Sequence, residues 1–310
     1  MNELPELALP LSLIFLIAGL VKGVTGMGLP TVAMGLLGSI MSPLAAAALL
    51  VIPSLVTNVW QLFVGPSLST VLRRFWPAML GIVIGTTTAT QFLVSVDPVA
   101  SRVVLGVALI GYAVYALLSP CLSLAPGHER WLSPLAGLAT GAITGVTGVF
   151  VIPAVPFFQA LNLDKDELVQ ALGLSFTVSS LALAAGLMMH GAYMPDTMGL
   201  SMAAVLPALA GMWLGQKVRA RISPAIFRRC FLLFLLALGC ELAIASTTRS
   251  ATHEPDDTGS VEHPTGHRLL AQVPGEQPDW RRLDPLALPD RHFAAARFSD
   301  HGDSTGRRRS

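Results

Sequence analysis

Charge is what this sequence lacks. Only 13% of its 310 residues are Asp, Glu, Lys or Arg, against roughly 25% in an ordinary soluble protein. The shortage is sharper still over most of the chain, because residues 247–310 hold nine of the twenty basic and ten of the nineteen acidic residues. The first 246 residues therefore read as a membrane protein, not as a soluble domain. A net charge of +1 gives no sign of a nucleic-acid partner, and none is expected.

Cysteine is also scarce. Cys121, Cys230 and Cys240 have no metal-ligand spacing. Cys230 and Cys240 fall ten residues apart on one predicted helix, about 15 Å at the helical rise, which is too far for a disulfide. All three read as small apolar fillers, and neither a metal nor a cofactor is expected. Catalytic signatures are missing too: there is no His-Glu-x-x-His, no Gly-x-Ser-x-Gly and no Gly-x-x-x-x-Gly-Lys loop. No carboxylate pair sits inside the apolar stretches, so an enzyme is not expected.

What is present is long uncharged runs: 23–72, 75–96, 103–127, 131–163, 168–189 and 197–216. About 20 apolar residues cross a bilayer. The runs predict full-length helices near 44–64, 75–95, 99–119, 167–189, 197–218 and 224–246. Regions 7–41 and 132–161 should each hold two shorter helices joined at a glycine-rich break. The acidic flank of the first segment (Glu3, Glu6) favours a retained helix over a cleaved leader. Residues 247–310, rich in Arg, Asp, His, Pro and Gly, read as a disordered tail.

The two breaks are copies of each other. Gly19, Gly23, Thr25 and Gly26 recur as Gly141, Gly145, Thr147 and Gly148, always 122 residues on. "PAMLGIVIG" (77–85) matches "PALAGMWLG" (207–215) at a spacing of 130, and "VDPVASR" (96–102) resembles "ISPAIFR" (222–228). An internal duplication follows: a first transmembrane repeat over 1–122, a connecting loop over 123–131, a second repeat over 132–246, then the tail. The expected fold is an all-α polytopic membrane protein with two repeats of about four helical elements, each opening with a broken or re-entrant helix pair. Arg73 and Arg74 follow the second element of the first half, whereas Lys217, Arg219 and Arg221 follow the third element of the second half. Placing both clusters in the cytoplasm requires inverted halves. Parallel halves of eight plain spans are the alternative.

A helix broken in lipid frees backbone groups that protein or a watery cavity has to satisfy. Free amides at the restarting helix, favoured by its dipole, form an anion site. The substrate-binding candidates are therefore Lys22, Gly23, Thr25, Gly26 and Gly28 at the first break and Gly145, Thr147 and Gly148 at the second; the alternative for the glycines is close helix packing, along Gly19-x-x-x-Gly23 and Gly137-x-x-x-Gly141-x-x-x-Gly145. Two copies meeting at the centre would offer two positive ends to one oxyanion. Lys22, an ionisable group within a span, is a candidate by default, with snorkelling to the surface as its alternative; its counterpart is Thr144. Polar residues on the following helices, Asn58 and Gln61 in the first half and Ser175 and Ser179 in the second, either line a cavity or bond between helices.

The segments "GLVKGVTGMGLP" (19–30), "GAITGVTGVFVIP" (141–153) and "PALAGMWLGQKVRARISPAIFRR" (207–229) together resemble the sulfite exporter TauE/SafE family of bacterial membrane proteins, over about residues 7–246. The resemblance implies a multi-pass protein of the cell inner membrane that moves small sulfur-containing or carboxylate anions, often outward. It also implies that Gly23, Thr25, Gly26, Gly145, Thr147 and Gly148 border the substrate route. The expected function is a secondary transporter exporting a small organic or sulfur-containing anion such as sulfite or a sulfonate, by alternating access about a site between two broken helices. Its partners would be the anionic substrate and membrane lipid, with a homo-oligomer as a further option. An intramembrane enzyme and a non-transporting membrane scaffold are the rival readings.

Overall fold

A computed structural model describes residues 4–251, apart from 66, 119–123, 125–126, 194, 220 and 222–223. The tail expected from 247 thus lies, from 252 onward, outside the described residues, as does Cys121. The described chain is helical throughout: α1 (Leu4–Thr25), α2 (Leu29–Ile40), α3 (Pro43–Val64), α4 (Leu68–Ser95), α5 (Pro98–Leu118), α6 (Glu129–Thr147), α7 (Ala154–Ala160), α8 (Lys165–Met189), α9 (Pro195–Ala203), α10 (Val205–Arg219) and α11 (Pro224–Ala251). Among the described residues, six stretches are long and apolar enough to cross a membrane: α1 from Ala8, α3, α4, α5, α8 from Asp166, and the Thr197–Arg219 run through α9 and α10. Large apolar side chains stand exposed on the outer helix faces, Trp76, Leu80, Leu206 and Trp213 among them. A surface of that kind is suited to lipid.

The helices begin and end where local chemistry dictates. Ser42 caps α3, accepting a hydrogen bond from the Ala45 amide (3.3 Å), with Pro43 following in the first turn, where its missing N–H costs nothing. α1 stops at Thr25 and α6 at Thr147, and each is followed by a glycine in the left-handed region, Gly26 at φ 79° and Gly148 at φ 69°. Residues with a Cβ rarely adopt that conformation. α4 starts earlier than expected, at Leu68, so Arg73 and Arg74 lie in its second turn and not in a loop. Arg74 is held there by ion pairs to Glu129 of α6 (2.7 Å) and Glu167 of α8 (3.2 Å).

Proline inside a span leaves a carbonyl without its helical donor. Pro53 does so to Leu49 in the middle of α3, and the Ser201 hydroxyl of α9 donates to that carbonyl (2.7 Å) while accepting from the Ile52 amide (3.3 Å). Ser201→Ala should therefore destabilise the fold by about 1–3 kcal/mol, the cost of an orphaned buried carbonyl. Thermal unfolding in detergent measures it.

Helix directions follow from which residues touch. Gln61 of α3 donates to the Val169 carbonyl of α8 (2.9 Å), and Asn58 donates to Ser180 (3.5 Å). Numbers fall on α8 as they rise on α3, so the two run antiparallel. Gly106 of α5 packs on Gly239 and Ala243 of α11, while Gly38 of α2 touches Leu105 and Leu242, and Gly35 touches Leu109 and Leu238. α5 and α11 are antiparallel as well, and α2 runs with α11. By contrast α1 and α10 run parallel, as do α4 and α6, along seams of small residues. A Cβ on Gly211 would lie 2.1 Å from the Leu16 carbonyl oxygen, and one on Gly85 would lie 2.4 Å from that of Leu138. Backbones come this close only where side chains are absent.

These seams correct one register. Gly211 sits on Leu16 and Leu20, and Gly85 sits on Leu138 and Ala142, each pair on the second seam 122 residues beyond its counterpart. Residue 85 therefore corresponds in space to 211, a spacing of 126, not the 130 suggested by matching 77–85 with 207–215. The sequence match is one helical turn out. Small residues recur every four positions on these helices, and a helix slipped by one turn presents nearly the same pattern.

Candidate functional site

Both breaks are helical hairpins. α2 turns back against α1, and Phe158 of α7 stacks edge-on against Phe75 (5.0 Å), whereas Gly145 of α6 packs far along α4, at Ala89 and Thr90. The same turn chemistry closes each. Thr25 Oγ1 donates to the Val21 carbonyl (2.9 Å) and accepts from the Met27 amide (3.2 Å). Thr147 Oγ1 donates to the Ile143 carbonyl (2.7 Å) and accepts from the Val149 amide (3.2 Å). The Gly26 and Gly148 amides donate to the Lys22 and Thr144 carbonyls, both at 2.7 Å. These four amides are thus engaged within the turns, and the threonine hydroxyls shape the chain reversal.

The charge at the site comes from Lys22. Its side chain is 2% exposed, which sets aside snorkelling. The ammonium donates to Thr57 Oγ1 (3.1 Å) and to Asn58 Oδ1, both on α3. Asn58 Nδ2 donates in turn to Ser54 (3.0 Å) and to Ser180 of α8 (3.5 Å), and Ser180 donates to the Phe176 carbonyl (2.8 Å). One polar chain therefore ties α1, α3 and α8 together in the interior. Among the described residues the ion pairs are those of Arg74; no carboxylate pairs with Lys22.

Lys22 also lines a cavity of about 370 Å³, together with Gly23, Gly26, Gln61, Gln216 and Arg219. Asp166, which is exposed, is the carboxylate on its wall. The cavity lies at the end of the molecule that carries Arg74, where α3 and α10 finish and α8 begins. A second cavity of about 160 Å³ is bordered by Thr25 and Met27 of the first break and by Val155, Pro156 and Gln159 around α7, with Arg219 shared between the two.

The remaining candidates are placed differently. Gly28 opens α2 at φ 101°, against Phe231 and Val21. Gly145, Thr147 and Gly148 are buried and line neither cavity. Met34 and Ala47 fill the space over Gly148. Ser175 and Ser179 are fully buried, and their hydroxyls have no hydrogen-bond partner. Gln216 and Arg219 were not foreseen as site residues. The one signal was that Gln216 closes an uncharged run inside a predicted span.

A buried ammonium beside a broken helix, paired with no carboxylate, in a polytopic helical bundle, is suited to holding an anion. The family model described as Sulfite exporter TauE/SafE matches residues 11–242. The chain belongs to the sulfite exporter TauE/SafE family. No curated protein and no solved structure matches it. As a TauE/SafE member it is a multi-pass membrane protein of a family of anion exporters. Both breaks, the Lys22 cavity and the α10 glycine seam fall within the matched residues.

Proposed function

We propose that this TauE/SafE protein is a secondary carrier that exports a small sulfur-containing or carboxylate oxyanion across the cell inner membrane, and that it binds the anion at Lys22. The observation that carries the reading is the Lys22 ammonium, buried on a cavity and bonded to neutral oxygens alone. An ammonium has three donors. Thr57 and Asn58 take two, leaving one for a ligand. An ionisable group inside a span is costly and marks a substrate path. Gly26, where an added Cβ would meet nothing within 4 Å, lets the anion come close, Gln61 and Gln216 offer amide donors, and Arg219 raises the local anion concentration at the mouth.

The halves act as inverted repeats in this reading. α3 and α8, equivalent in the duplication, cross antiparallel, and so do α5 and α11; α1 pairs with α10 as α6 pairs with α4. An approximate two-fold axis in the membrane plane accounts for all four relations, and such repeats move by rocking about a central site. Arg73, Arg74, Lys217, Arg219 and Arg221 gather at one end, which the positive-inside rule puts in the cytoplasm. The cavity opens at that end, so the anion loads from the cytoplasm. An intramembrane hydrolase would need an activated serine, and the Ser175 hydroxyl has no base bonded to it.

Counterflow in proteoliposomes tests the reading. Labelled sulfite should exchange against internal sulfite well above protein-free vesicles, with sulfonates and carboxylates as competitors. If none of these anions moves, the protein is not this carrier.

A further inference from the structure

We infer that the protein has a second chamber for the same oxyanion, closed in this structure, walled by Thr86 and Thr90 of α4, Thr144 of α6 and Ser179 of α8. The inference rests on the transport reading above. Its starting point is an anomaly in the packing. The hydroxyls of Thr86 and Ser179 are fully buried and have no hydrogen-bond partner. A buried hydroxyl left unpaired is destabilising, and native interiors seldom tolerate such groups without a use for them.

The duplication explains where these hydroxyls sit. At a spacing of 122, Lys22 corresponds to Thr144, Thr57 to Ser179, and Asn58 to Ser180; at the 126 set by the helix seams, Met212 corresponds to Thr86 and Gln216 to Thr90. The walls of the open Lys22 cavity thus have a second copy around the second break. There the copy is collapsed. Gly145 rests on Thr86 and Thr90 as Gly23 rests on Met212 and Gln216. Gly186, which corresponds to Val64, lies against the Thr90 side chain, and Gly148, which corresponds to Gly26, lies against Met34 and Ala47. Thr144 donates to the Thr140 carbonyl (2.7 Å). Ser179 therefore lacks the donor that Lys22 gives to Thr57. Opening this copy while the first closes would bring water or substrate to the idle hydroxyls.

The two chambers differ in chemistry as well as in state. Lys22, Gln61 and Arg219 become Thr144, Leu183 and Leu93 at the corresponding positions. Hydroxyls can still donate to sulfur-bound or carboxylate oxygens, but the charge-assisted bond is gone, and such bonds are about twice as strong as neutral ones. An oxyanion held by an ammonium on one side is held by hydroxyls alone on the other. That asymmetry favours loading at the Arg74 end and release at the far end.

Thiol labelling tests the chamber. In a chain with its three cysteines replaced by serine, single Thr86→Cys, Thr90→Cys, Ser179→Cys and Gln216→Cys variants are reconstituted in one orientation and treated with a charged, membrane-impermeant methanethiosulfonate from each face. Gln216→Cys should label quickly from the face carrying Arg73 and Arg74. The other three should label only from the opposite face, about 10- to 1000-fold more slowly, as expected for a state populated at about 0.1–10%. Three sites guard against one variant failing to fold. Labelling of all three from the Arg73 face, or of none from either face, overturns the chamber. Sulfite counterflow by the same proteins separates the two ideas: counterflow without opposite-face labelling removes the chamber and leaves the carrier, whereas an inactive unsubstituted chain removes both.

Discussion

Lys22→Met should cut sulfite counterflow about a hundredfold and leave the protein folded. The reasoning sets two costs against each other. A hydrogen bond to a charged group contributes about 1.5–3 kcal/mol, and each 1.4 kcal/mol is about tenfold in binding, so losing the ammonium's bond to an anion accounts for a change of that size. Stability moves differently. Methionine keeps much of the apolar stem and removes a buried ion whose desolvation costs several kcal/mol. Against this, Thr57 Oγ1 and Asn58 Oδ1 each lose a donor, at about 1–3 kcal/mol apiece. The melting temperature in detergent should therefore hold or rise while transport collapses. Wild-type counterflow in the variant would show that the ammonium does not meet substrate. A variant that unfolds would show that Lys22 is a structural residue.

The second large effect is on assembly. Gly211→Leu should abolish folding, at about 3 kcal/mol or more. A Cβ at Gly211 would meet the Leu16 oxygen at 2.1 Å and the Leu20 amide nitrogen at 2.9 Å. Both are backbone atoms, so no rotamer change relieves the clash and α1 has to part from α10. That separation would also open the wall of the Lys22 cavity, which both helices build. Gly111→Ala on α5 is the matched control, because an added Cβ there meets nothing within 4 Å. It should be neutral or stabilise by up to about 1 kcal/mol through helix propensity. Yield of monodisperse protein on size exclusion, with thermal unfolding, reads both. A folded, transporting Gly211→Leu protein would refute the tight α1–α10 seam.

Much of this was legible in the residues. Most helix ends fall within a few residues of the expected spans, because in lipid the length of an apolar segment is set by bilayer thickness. Two spans depart from expectation: 197–218 is divided between α9 and α10, and α4 starts early, its first turns carrying Arg73 and Arg74, so the run was cut short at 75, while the ion pairs of Arg74 come from Glu129 and Glu167, distant in sequence. The breaks were readable because left-handed glycines and restarting prolines have few other uses inside a span. Their contribution was less readable. The Met27 and Val149 amides find partners in the same turn, through threonine hydroxyls whose rotamers no pattern reveals.

The sequence by itself determined a membrane-spanning helical bundle, its two glycine-rich breaks and Lys22 as the ionisable group beside one of them. These follow from local rules of hydropathy, glycine and proline, and the break residues repeat at a constant spacing of 122. Only the tertiary structure decided that Lys22 bonds to Thr57 and Asn58, that one break borders a cavity while its copy is packed shut, and that α10 sits one turn from its apparent register. Those outcomes depend on which helix faces meet, and a four-residue pattern of small side chains allows more than one docking until every backbone in the bundle is in place.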